Sequence, residues 1–253
     1  IHPGYGFLSE NGQLAAQCSK NEISFIGPDQ SLLELFGDKA RARQAATEVG
    51  VPIVKGTEKA SSLEDCKEFF SSLGENAAIM IKALAGGGGR GTRIVTNLDE
   101  LEEAYVRCQS EAKNAFGNDE LYVEELIQQA RHIEIQIIGD QKGNIIAIGD
   151  RECSVQRRHQ KIIEVAPAYD LPEKTRQSIK DAAEKLAKAV GYFSLGTFEF
   201  LVDSRSDGQE KFAFIEANAR LQVEHTVTEE VTGVDLVQSQ IEIASGKTLK
   251  DLG

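Results

Sequence analysis

A β-hairpin near the carboxyl-terminal end of the chain is the feature that most constrains its fold. Two segments read as strands because apolar residues recur at every second position. Asp207-Gly208 separates them, and Asp-Gly is favoured at the centre of a two-residue hairpin turn. With that turn, residue 203 faces 212, residue 201 faces 214 and residue 199 faces 216. The defining residues are Phe198, Glu199, Phe200, Leu201 and Val202 in the first strand, and Phe212, Phe214 and Glu216 on one face of the second.

The predicted register places the carboxylates of Glu199 and Glu216 opposite each other. Directly opposed like charges destabilise a sheet, so we expect a cation to hold them. Two carboxylates suit Mg²⁺ or Mn²⁺, and Mg²⁺ usually binds phosphate oxygens as well, so the pair also indicates a nucleotide. The alternative is a longer loop with one of the two acids at the surface.

A run of glycines supplies a second indication of a nucleotide. Lys82–Thr92 reads KALAGGGGRGT and joins the apolar segment 77–81 to another at 93–95. The pattern fits a strand, a loop and a strand, in which backbone N–H groups can approach phosphate and the flanking lysine and arginine supply countercharge. The order of residues is neither that of a P-loop nor that of a dinucleotide-binding G-x-G-x-x-G turn. A flexible linker is the alternative.

The composition limits the classes of partner. The chain has 253 residues, of which 41% are hydrophobic, so it can form one large domain or two smaller ones. Its net charge of −12 makes wholesale binding to nucleic acid or to an anionic membrane unfavourable. One basic segment nevertheless predicts a pocket for a small anion, with a solvated strand edge as the alternative. This segment contains Arg151, Arg157, Arg158, His159 and Lys161.

The cysteines and the chain ends indicate the setting of the protein. The four cysteines are widely spaced without a C-x-x-C, so we predict neither a disulfide framework nor a zinc site. A reducing compartment is expected, either the cytoplasm or the mitochondrial matrix. No apolar stretch approaches the ~20 residues of a membrane span, and no signal peptide is visible. Because the chain begins at Ile1 inside a turn-rich segment, we expect it to be a piece of a longer protein.

Periodicity and capping residues predict the remaining elements. A short buried strand is expected from Ile23 to Gly27, and Asp29 is expected to cap the helix that follows. Further helices are expected at about 38–49, 63–73, 98–115, 173–190 and 234–244, and a strand at 121–125.

The segment from Arg131 to Gly139 alternates cleanly and reads as a strand. Isoleucines occupy one face, and His132, Glu134 and Gln136 occupy the other. A polar strand face can lie in solvent or form the floor of a site, and strand propensity favours solvent here.

Seven segments, in order and at compatible spacing, resemble the biotin carboxylase component of biotin-dependent carboxylases, which has the ATP-grasp fold. The resemblance covers the whole chain. It implies an α+β fold with an ATP-grasp core and a small glycine-loop lid subdomain, preceded by a remnant of a Rossmann-like pre-ATP-grasp subdomain and truncated at both ends. The segments are HPGYGFLSEN within 1–11, GDKARAR at 37–43, KALAGGGGRG at 82–91, RHIEIQ at 131–136, DRECSVQRRHQK at 150–161, GTFEFL at 196–201 and IEANARLQVEHTVTE at 215–229.

The resemblance also implies domain boundaries. Residues 1–37 correspond to the remnant of the N-terminal biotin carboxylase subdomain, and 38–253 correspond to the ATP-grasp domain. Within that domain the lid covers about 54–126, and an incomplete C-terminal lobe covers about 127–253. Relatives continue on both sides, and after this segment they carry an arginine that steadies the biotin enolate.

Ligand contacts follow from the same resemblance. Lys39 and Lys82 match lysines that contact ATP, and Glu124–Ile127 resembles the segment that holds adenine. Glu125 occupies a commonly basic position, so we expect only its backbone to contact the base. The other matches are Gly87, Gly88 and Gly89 on the loop over the phosphates, Glu124 and Ile127 beside adenine, His132 near the ribose, Leu201 against the purine, and Glu199, Glu216 and Asn218 as metal ligands.

In this family bicarbonate attacks the γ-phosphate of ATP to give carboxyphosphate, which releases CO₂ beside biotin, and a urea nitrogen of biotin is then carboxylated. The resemblance implies that Lys161, Arg220 and the segment Gln222-Val223 hold bicarbonate in line with the phosphate. Glu224 resembles the general base. Gln156 and His159 match positions that line the site, and a surface histidine is the alternative for His159.

The implied ligands are ATP, Mg²⁺ or Mn²⁺, and bicarbonate, with biotin as a substrate carried on a separate domain or protein. The parent enzyme is expected to be oligomeric and to contain a biotinyl carrier domain and a carboxyltransferase domain. Neither nucleic acid nor a membrane is expected as a partner. Two other functions stay open, another ATP-grasp ligase of carbamoyl-phosphate-synthase type and a nucleotide-binding module without catalysis.

Overall fold

The structure is a computed structural model that describes residues 1–57, 59–74, 77–84, 91–157, 160–203 and 211–252. Helices and strands combine in a mixed α and β fold, as the sequence predicts. The helices are α1 (Gly12–Lys20), α2 (Gln30–Gly37), α3 (Lys39–Glu48), α4 (Leu63–Ser72), α5 (Leu101–Phe116), α6 (Glu173–Ala189), α7 (His225–Thr232) and α8 (Leu236–Ala244). The strands are β1 (Ile79–Ala83), β2 (Thr92–Val95), β3 (Leu121–Glu125), β4 (Ala130–Gly139), β5 (Ile145–Arg157), β6 (Gln160–Val165), β7 (Ser194–Asp203) and β8 (Lys211–Asn218).

The chain divides into two compact units. Unit 1 contains Ile1–Ile53, Arg131–Val155 and Lys161–Gly253, and unit 2 contains Val54–Ala130 and Gln156–Gln160. The domain boundaries that the resemblance implies remain a prediction.

Unit 1 is built on a five-stranded sheet with the strand order β6-β5-β4-β7-β8. One face of this sheet carries the hydrophobic core, to which Ile133, Ile135 and Ile137 of β4 and residues of α2, α3 and α6 contribute. Phe36, Tyr192 and Phe198 pack edge to face there, with ring centroids 5.4 to 5.8 Å apart. Because this face is filled by apolar side chains, the alternate residues of the strands lie on the opposite face.

The pairing of β7 with β8 confirms one part of the predicted register and corrects another. Glu199 lies opposite Glu216, as predicted. Nearer the turn, however, residue 201 pairs with 213 and residue 203 with 211, because the register shifts at a bulge between Glu199 and Phe200. The extra residue is Ile215, and it places Phe214 on the core side while Glu216 lies with Glu199 on the other. The prediction that Phe212, Phe214 and Glu216 share one face was therefore wrong, and the turn at 207–208 lies outside the described residues.

Unit 2 contains a three-stranded sheet with the order β2-β1-β3, and the core of this unit includes residues of α4 and α5. The strand, loop and strand predicted around the glycine run are confirmed in β1 and β2, which pair antiparallel from Ile79 with Val95 to Lys82 with Thr92. The four consecutive glycines lie outside the described residues.

Local sequence signals account for most helix ends. Asp29 caps α2 by accepting a hydrogen bond from the Leu32 amide, as predicted, and Ser62 forms a capping box with Asp65 at the start of α4. The predicted strand at Ile23 to Gly27 was wrong. This segment is not part of a sheet, Ile23 is exposed, and the amide of Ile26 instead donates to the carbonyl of Ile1. Helices α1 and α7 were not predicted.

The four cysteines, Cys18, Cys66, Cys108 and Cys153, are free thiols and are all buried. Burial raises the pKa of Cys66 to about 12 and that of Cys108 to about 11. Among the residues that the structure describes, no helix combines the length and the apolar character needed to cross a bilayer.

Candidate active site

The polar face of β4 is buried, so the expectation that it lies in solvent was wrong. The exposed fraction of Glu134 is 0% and that of Gln136 is 1%. Glu134 lies directly opposite Arg151 of β5 in the antiparallel ladder, and the two side chains form a salt bridge. Alternation of polar and apolar residues identified the two faces correctly, but ion pairing keeps the polar one out of water.

Lys161, near the start of β6, contacts three carboxylates. Its Nζ donates to Glu134 Oε1, lies 3.1 Å from Glu199 Oε1 and lies 2.8 Å from Glu224 Oε1. These three acids come from β4, β7 and the loop before α7, and all are buried. A cation at the meeting point of three buried carboxylates offsets much of their mutual repulsion.

Glu199 contacts four side chains of the described residues. Its Oε1 accepts hydrogen bonds from Asn218 Nδ2 at 2.7 Å and from Gln222 Nε2 at 3.2 Å, in addition to Lys161. Its Oε2 lies 2.8 Å from His132 Nε2. Burial alone would raise the pKa of Glu199, but contacts with His132 and then with Lys161 outweigh it and lower the pKa. The side chain is therefore ionised at neutral pH.

Glu224 precedes α7 and faces the same lysine. Burial works to raise its pKa, but the hydrogen bond and the charge of Lys161 dominate and lower it. At neutral pH Glu224 is therefore a carboxylate that can accept a proton.

Arg151 lies under the cluster and is fully buried. Its guanidinium donates to Glu134, Gln136, Thr197, Gln222 and Thr228. Among the described residues, the basic segment that predicted an anion pocket thus contributes two cations to the cluster, Arg151 and Lys161, and both contact side chains of the protein. Arg157 is exposed, and Arg158 and His159 lie outside the described residues.

The opposed pair Glu199 and Glu216 offers oxygen ligands at the end of the β7 and β8 ladder. Glu216 Oε2 lies 3.1 Å from Lys39 Nζ, and both side chains are partly exposed. Asn218 turns its Nδ2 toward Glu199, and its Oδ1 accepts a hydrogen bond from Arg220 Nη2 at 3.0 Å. An all-oxygen donor set of two carboxylates and one amide carbonyl fits Mg²⁺ or Mn²⁺.

Arg220 is held from three sides. Its Nε lies 3.1 Å from Glu10 Oε2, its Nη1 donates to the Leu221 carbonyl at 3.3 Å, and its Nη2 donates to Asn218. The neighbouring Gln222 is buried, whereas Val223 is 59% exposed. Leu201, two residues beyond Glu199 on β7, is partly exposed. The structure therefore places the residues that the resemblance assigned to metal and bicarbonate on β6, β7, β8 and the loop that follows β8, all in unit 1.

In unit 2 the assigned residues lie on the three-stranded sheet and its edges. Lys82 of β1 and Glu124 of β3 form a salt bridge, and Lys82 pairs with Tyr122 in the ladder. The amide of Glu125 donates to the Lys55 carbonyl at 2.8 Å. Ile127 follows β3 and Gln156 lies near the end of β5, and both are partly buried. Gly87, Gly88, Gly89 and His159 lie outside the described residues.

Sequence reasoning missed three participants in this region. Glu134 was read as solvent-exposed, Arg151 was counted with an anion pocket, and Glu10 was not singled out. The direct pairing of Glu134 with Arg151 could have been found, because opposite charges on neighbouring strands are a recurrent cross-strand pair. The link from Glu10 to Arg220 spans most of the chain and has no local signal.

Comparison with known proteins agrees with this arrangement. The family described as "Carbamoyl-phosphate synthase L chain, ATP binding domain" matches residues 38–252, and "Biotin carboxylase, N-terminal domain" matches residues 1–33. Pyruvate carboxylase 1 of Caenorhabditis elegans is 53% identical over 253 residues, which are 100% of this chain and 21% of that protein. The chain thus spans about a fifth of the length of the curated relatives that it matches.

Two solved structures extend the comparison. A biotin carboxylase from Campylobacter jejuni, described as a β-γ-ATP complex, is 48% identical with a TM-score of 0.90, and the match covers 98% of this chain and 55% of that one. The biotin carboxylase domain of Hydrogenobacter thermophilus 2-oxoglutarate carboxylase, in complex with MgADP, ADP and bicarbonate, is 45% identical with a TM-score of 0.89, over 99% of this chain and 54% of that one. The chain therefore belongs to the carbamoyl-phosphate synthase L chain ATP-binding family and, within the ATP-grasp fold, to its biotin carboxylase members.

Proposed function

We propose that this chain is the ATP-grasp part of a biotin carboxylase, which uses ATP and bicarbonate to carboxylate biotin within a larger biotin-dependent carboxylase. The observation that carries the proposal is the cluster in which Lys161 contacts Glu134, Glu199 and Glu224 beside the amide of Gln222. This cluster combines a cation for an anionic substrate with an ionised carboxylate for its proton. The relative in complex with MgADP and bicarbonate supports the same assignment.

In the proposed reaction, an oxygen of bicarbonate attacks the γ-phosphorus of ATP, and the bond to the β–γ bridging oxygen breaks to release ADP. The product, carboxyphosphate, breaks down to CO₂ and phosphate. The phosphate removes the proton from a urea nitrogen of biotin, and that nitrogen attacks CO₂. Bicarbonate is a poor nucleophile, so the protein has to contribute chiefly by positioning and by charge stabilisation.

Lys161, Arg220, Gln222 and Val223 are the residues proposed to hold bicarbonate. Lys161 Nζ has three acceptors in this structure, and an arriving anion would replace one of them. Arg220 is presented by Glu10 and Asn218, so its planar guanidinium has a fixed direction. Two such cations reduce the repulsion between bicarbonate and the phosphates of ATP.

Glu224 is proposed as the general base that takes the bicarbonate proton. Its lowered pKa keeps it ionised over the neutral range, and Lys161 lies 2.8 Å from its Oε1. Protonation of Glu224 would weaken its attraction to Lys161, which would make the lysine more available to the developing charge.

Glu199, Glu216 and Asn218 are proposed to hold Mg²⁺ or Mn²⁺. The metal would neutralise charge on the transferred phosphoryl group. Lys39 forms a salt bridge with Glu216 at 3.1 Å, so this carboxylate is already oriented by a cation that nucleotide phosphates would also attract. The residues proposed to bind the nucleotide are Lys39, Lys82, Gly87, Gly88, Gly89, Glu124, Glu125, Ile127, His132, Gln156, His159 and Leu201.

Biotin is proposed to arrive on a carrier domain, and a carboxyltransferase domain of the parent enzyme is proposed to use the product. The parent is also proposed to be oligomeric. Four buried free thiols are consistent with the predicted reducing compartment, which is the cytoplasm or the mitochondrial matrix.

The test is bicarbonate-dependent ATP cleavage by the full-length protein, with and without free biotin. Glu224→Ala should lower this activity by ~10²- to 10⁴-fold, the usual range for general-base assistance, while MgATP affinity is retained. Glu230→Ala is the matched control, because Glu230 is an exposed acid six residues further along. Full turnover in Glu224→Ala would contradict the assignment.

Biotin separates this function from the alternatives. A biotin carboxylase should cleave ATP faster when biotin is present, and it should form carboxybiotin from labelled bicarbonate. Bicarbonate-dependent ATP cleavage that is indifferent to biotin would favour a carbamoyl-phosphate-synthase-type ligase, and nucleotide binding without any cleavage would favour a non-catalytic module.

A further inference from the structure

We propose that Arg151 is a positioning residue for bicarbonate, and that it acts by fixing the side chains of Gln222 and Glu134. The inference rests on the proposed function, because it concerns the same site. Arg151 itself is fully buried, so it touches substrate only through these neighbours.

Every N–H of the Arg151 guanidinium faces an acceptor. The Nε donates to Glu134 Oε2 at 3.2 Å, and Nη1 donates to Gln136 Oε1 and Thr228 Oγ1, both at 2.9 Å. The Nη2 donates to Glu134 Oε2 and Thr197 Oγ1 at 3.1 Å and to Gln222 Oε1 at 3.2 Å. An arginine has five such donors in one plane, so these contacts define its position completely.

Arg151 determines which way the amide of Gln222 points. The carbonyl oxygen of Gln222 accepts from Arg151 Nη2, and its Nε2 donates to Glu199 Oε1 at 3.2 Å. The reversed amide would set a donor against the guanidinium and an acceptor against a carboxylate, and both contacts would be repulsive. Gln222 therefore has one orientation, whether or not bicarbonate is bound.

Arg151 also fixes the orientation of Glu134, the carboxylate to which Lys161 donates. The two oxygens of Glu134 are divided between the two cations, because Oε2 accepts from Arg151 and Oε1 accepts from Lys161 Nζ. Rotation of the Glu134 carboxylate would break contacts on both sides. Two residues proposed to touch bicarbonate, Gln222 and Lys161, are thus held through a single buried guanidinium.

Stability alone does not account for this arrangement. A buried ion pair is often no more stable than well-packed apolar residues of the same size, since both ions lose hydration. Lysine would supply the same charge with a compact ammonium group that cannot reach five acceptors in a plane. The geometry of Arg151, more than its charge, is what the site uses.

Arg151→Lys in the full-length protein tests the inference, with bicarbonate KM and MgATP affinity measured separately. We expect the bicarbonate kcat/KM to fall by ~10- to 100-fold, the scale of an ångström-sized misplacement, and the MgATP Kd to change by less than about twofold. Arg176→Lys is the matched control. Arg176 lies on α6 and bridges Asp150, the β5 residue before Arg151, and the Ala168 carbonyl, so it is another arginine whose guanidinium joins two partners beside the same strand.

A double-mutant cycle separates positioning from general destabilisation. If Arg151 acts partly through Gln222, then Arg151→Lys should lower bicarbonate kcat/KM by a smaller factor in the Gln222→Ala background than in the wild type, and the residual loss should arise through Glu134 and Lys161. Arg176→Lys combined with Gln222→Ala should be additive. Additive losses in the Arg151 cycle, or equal losses of bicarbonate and MgATP binding in Arg151→Lys, would overturn the inference.

Thr197→Val covers the case in which Arg151→Lys is not recovered folded. This change removes an acceptor of Nη2, the nitrogen that orients Gln222, and leaves the charge of Arg151 in place. It should raise bicarbonate KM at least about threefold and be less than additive with Gln222→Ala, and failure on either count would overturn the inference. Absence of bicarbonate-dependent ATP cleavage in the wild type would instead contradict the proposed function.

Discussion

The two units of this chain use buried charge in different ways. In unit 1, Lys161 and Arg151 lie among three buried carboxylates, and each cation contacts more than one residue. Among the described residues of unit 2 the corresponding feature is the salt bridge of Lys82 with Glu124, in which 27% of the lysine side chain remains exposed. A pair at a sheet surface can lose one partner to solvent, whereas a network cannot rearrange one member without disturbing the others.

This difference indicates where rigidity is concentrated. The strands of unit 1 carry side chains whose hydrogen-bonding groups are largely committed to one another, so the site is organised before ligands bind. The pair in unit 2 makes fewer demands on its surroundings, because water can replace part of it. Substitutions of single carboxylates in each unit test this difference.

Glu134→Gln should have the largest effect. It keeps the shape of the side chain but leaves Arg151 buried without its principal countercharge, which typically costs about 3–5 kcal/mol in the free energy of unfolding. Urea unfolding monitored by circular dichroism would measure the loss. A cost below about 1 kcal/mol would show that the network is no more interdependent than a surface pair.

Glu124→Gln should be milder. Lys82 is partly exposed and can turn to water, so we expect a cost of about 1–2 kcal/mol, measured in the same way. Glu103→Gln is the control in unit 2, because Glu103 pairs with Arg107 one turn along α5 and both side chains are about two-thirds exposed. Its cost should be about 0.5 kcal/mol or less. If Glu124→Gln costs as much as Glu134→Gln, the contrast between the units is wrong.

Acid should reveal the network through Glu224. The folded protein lowers the pKa of this group below its ordinary value of 4.5, so its ionised form stabilises the fold above that pH, and the stabilisation is lost as pH falls through the lowered pKa. Wild type should therefore exceed Glu224→Gln in urea midpoint at neutral pH, and the gap should close as the pH falls below 4.5 and through the lowered pKa of Glu224. A gap that stays constant with pH would contradict this coupling.

Glu216→Gln should affect stability least. Its salt bridge with Lys39 is partly exposed, and the opposed Glu199 is already neutralised by other partners, so we expect a change within about 1 kcal/mol. MgATP affinity should nevertheless fall, and isothermal titration with and without Mg²⁺ would locate the loss. Unchanged MgATP affinity in both Glu216→Gln and Glu199→Gln would exclude the paired metal site.

Local patterns predicted much of this fold. The strand at 121–125, the helix capped by Asp29 and the pairing of β1 with β2 follow from periodicity and capping chemistry, and the structure confirms them. The pairing of Glu199 with Glu216 was also correct, although the two-residue turn that predicted it gives the wrong register nearer the loop. The sequence gives no signal for the bulge at Ile215, since an apolar residue at this position fits a regular register as well as a bulged one.

The sequence could not show which tertiary partners the polar side chains of β4 would have. Glu134 and Gln136 alternate with isoleucines as residues of an exposed face do, and strand propensity takes no account of partners elsewhere in the chain. Arg151 is 17 positions beyond Glu134, and Gln222 and Thr228 are more than 70 positions beyond Arg151. Only tertiary pairing brings enough hydrogen bonds together to keep these groups out of water.

Because β8 contains a bulge, the position of Glu216 opposite Glu199 does not depend on the length of the loop between β7 and β8. The pairing register on the turn side of Ile215 differs by one residue from the register on the Glu216 side. The hydrogen-bonded ladder, and not the length of the turn, therefore sets which side chain lies opposite Glu199. A family of such proteins could lengthen or shorten the connection between β7 and β8 by whole residues without moving the carboxylate pair. Deleting Ile215 would likewise leave Glu216 opposite Glu199, because it removes the one residue of β8 that has no partner on β7 and makes the ladder regular.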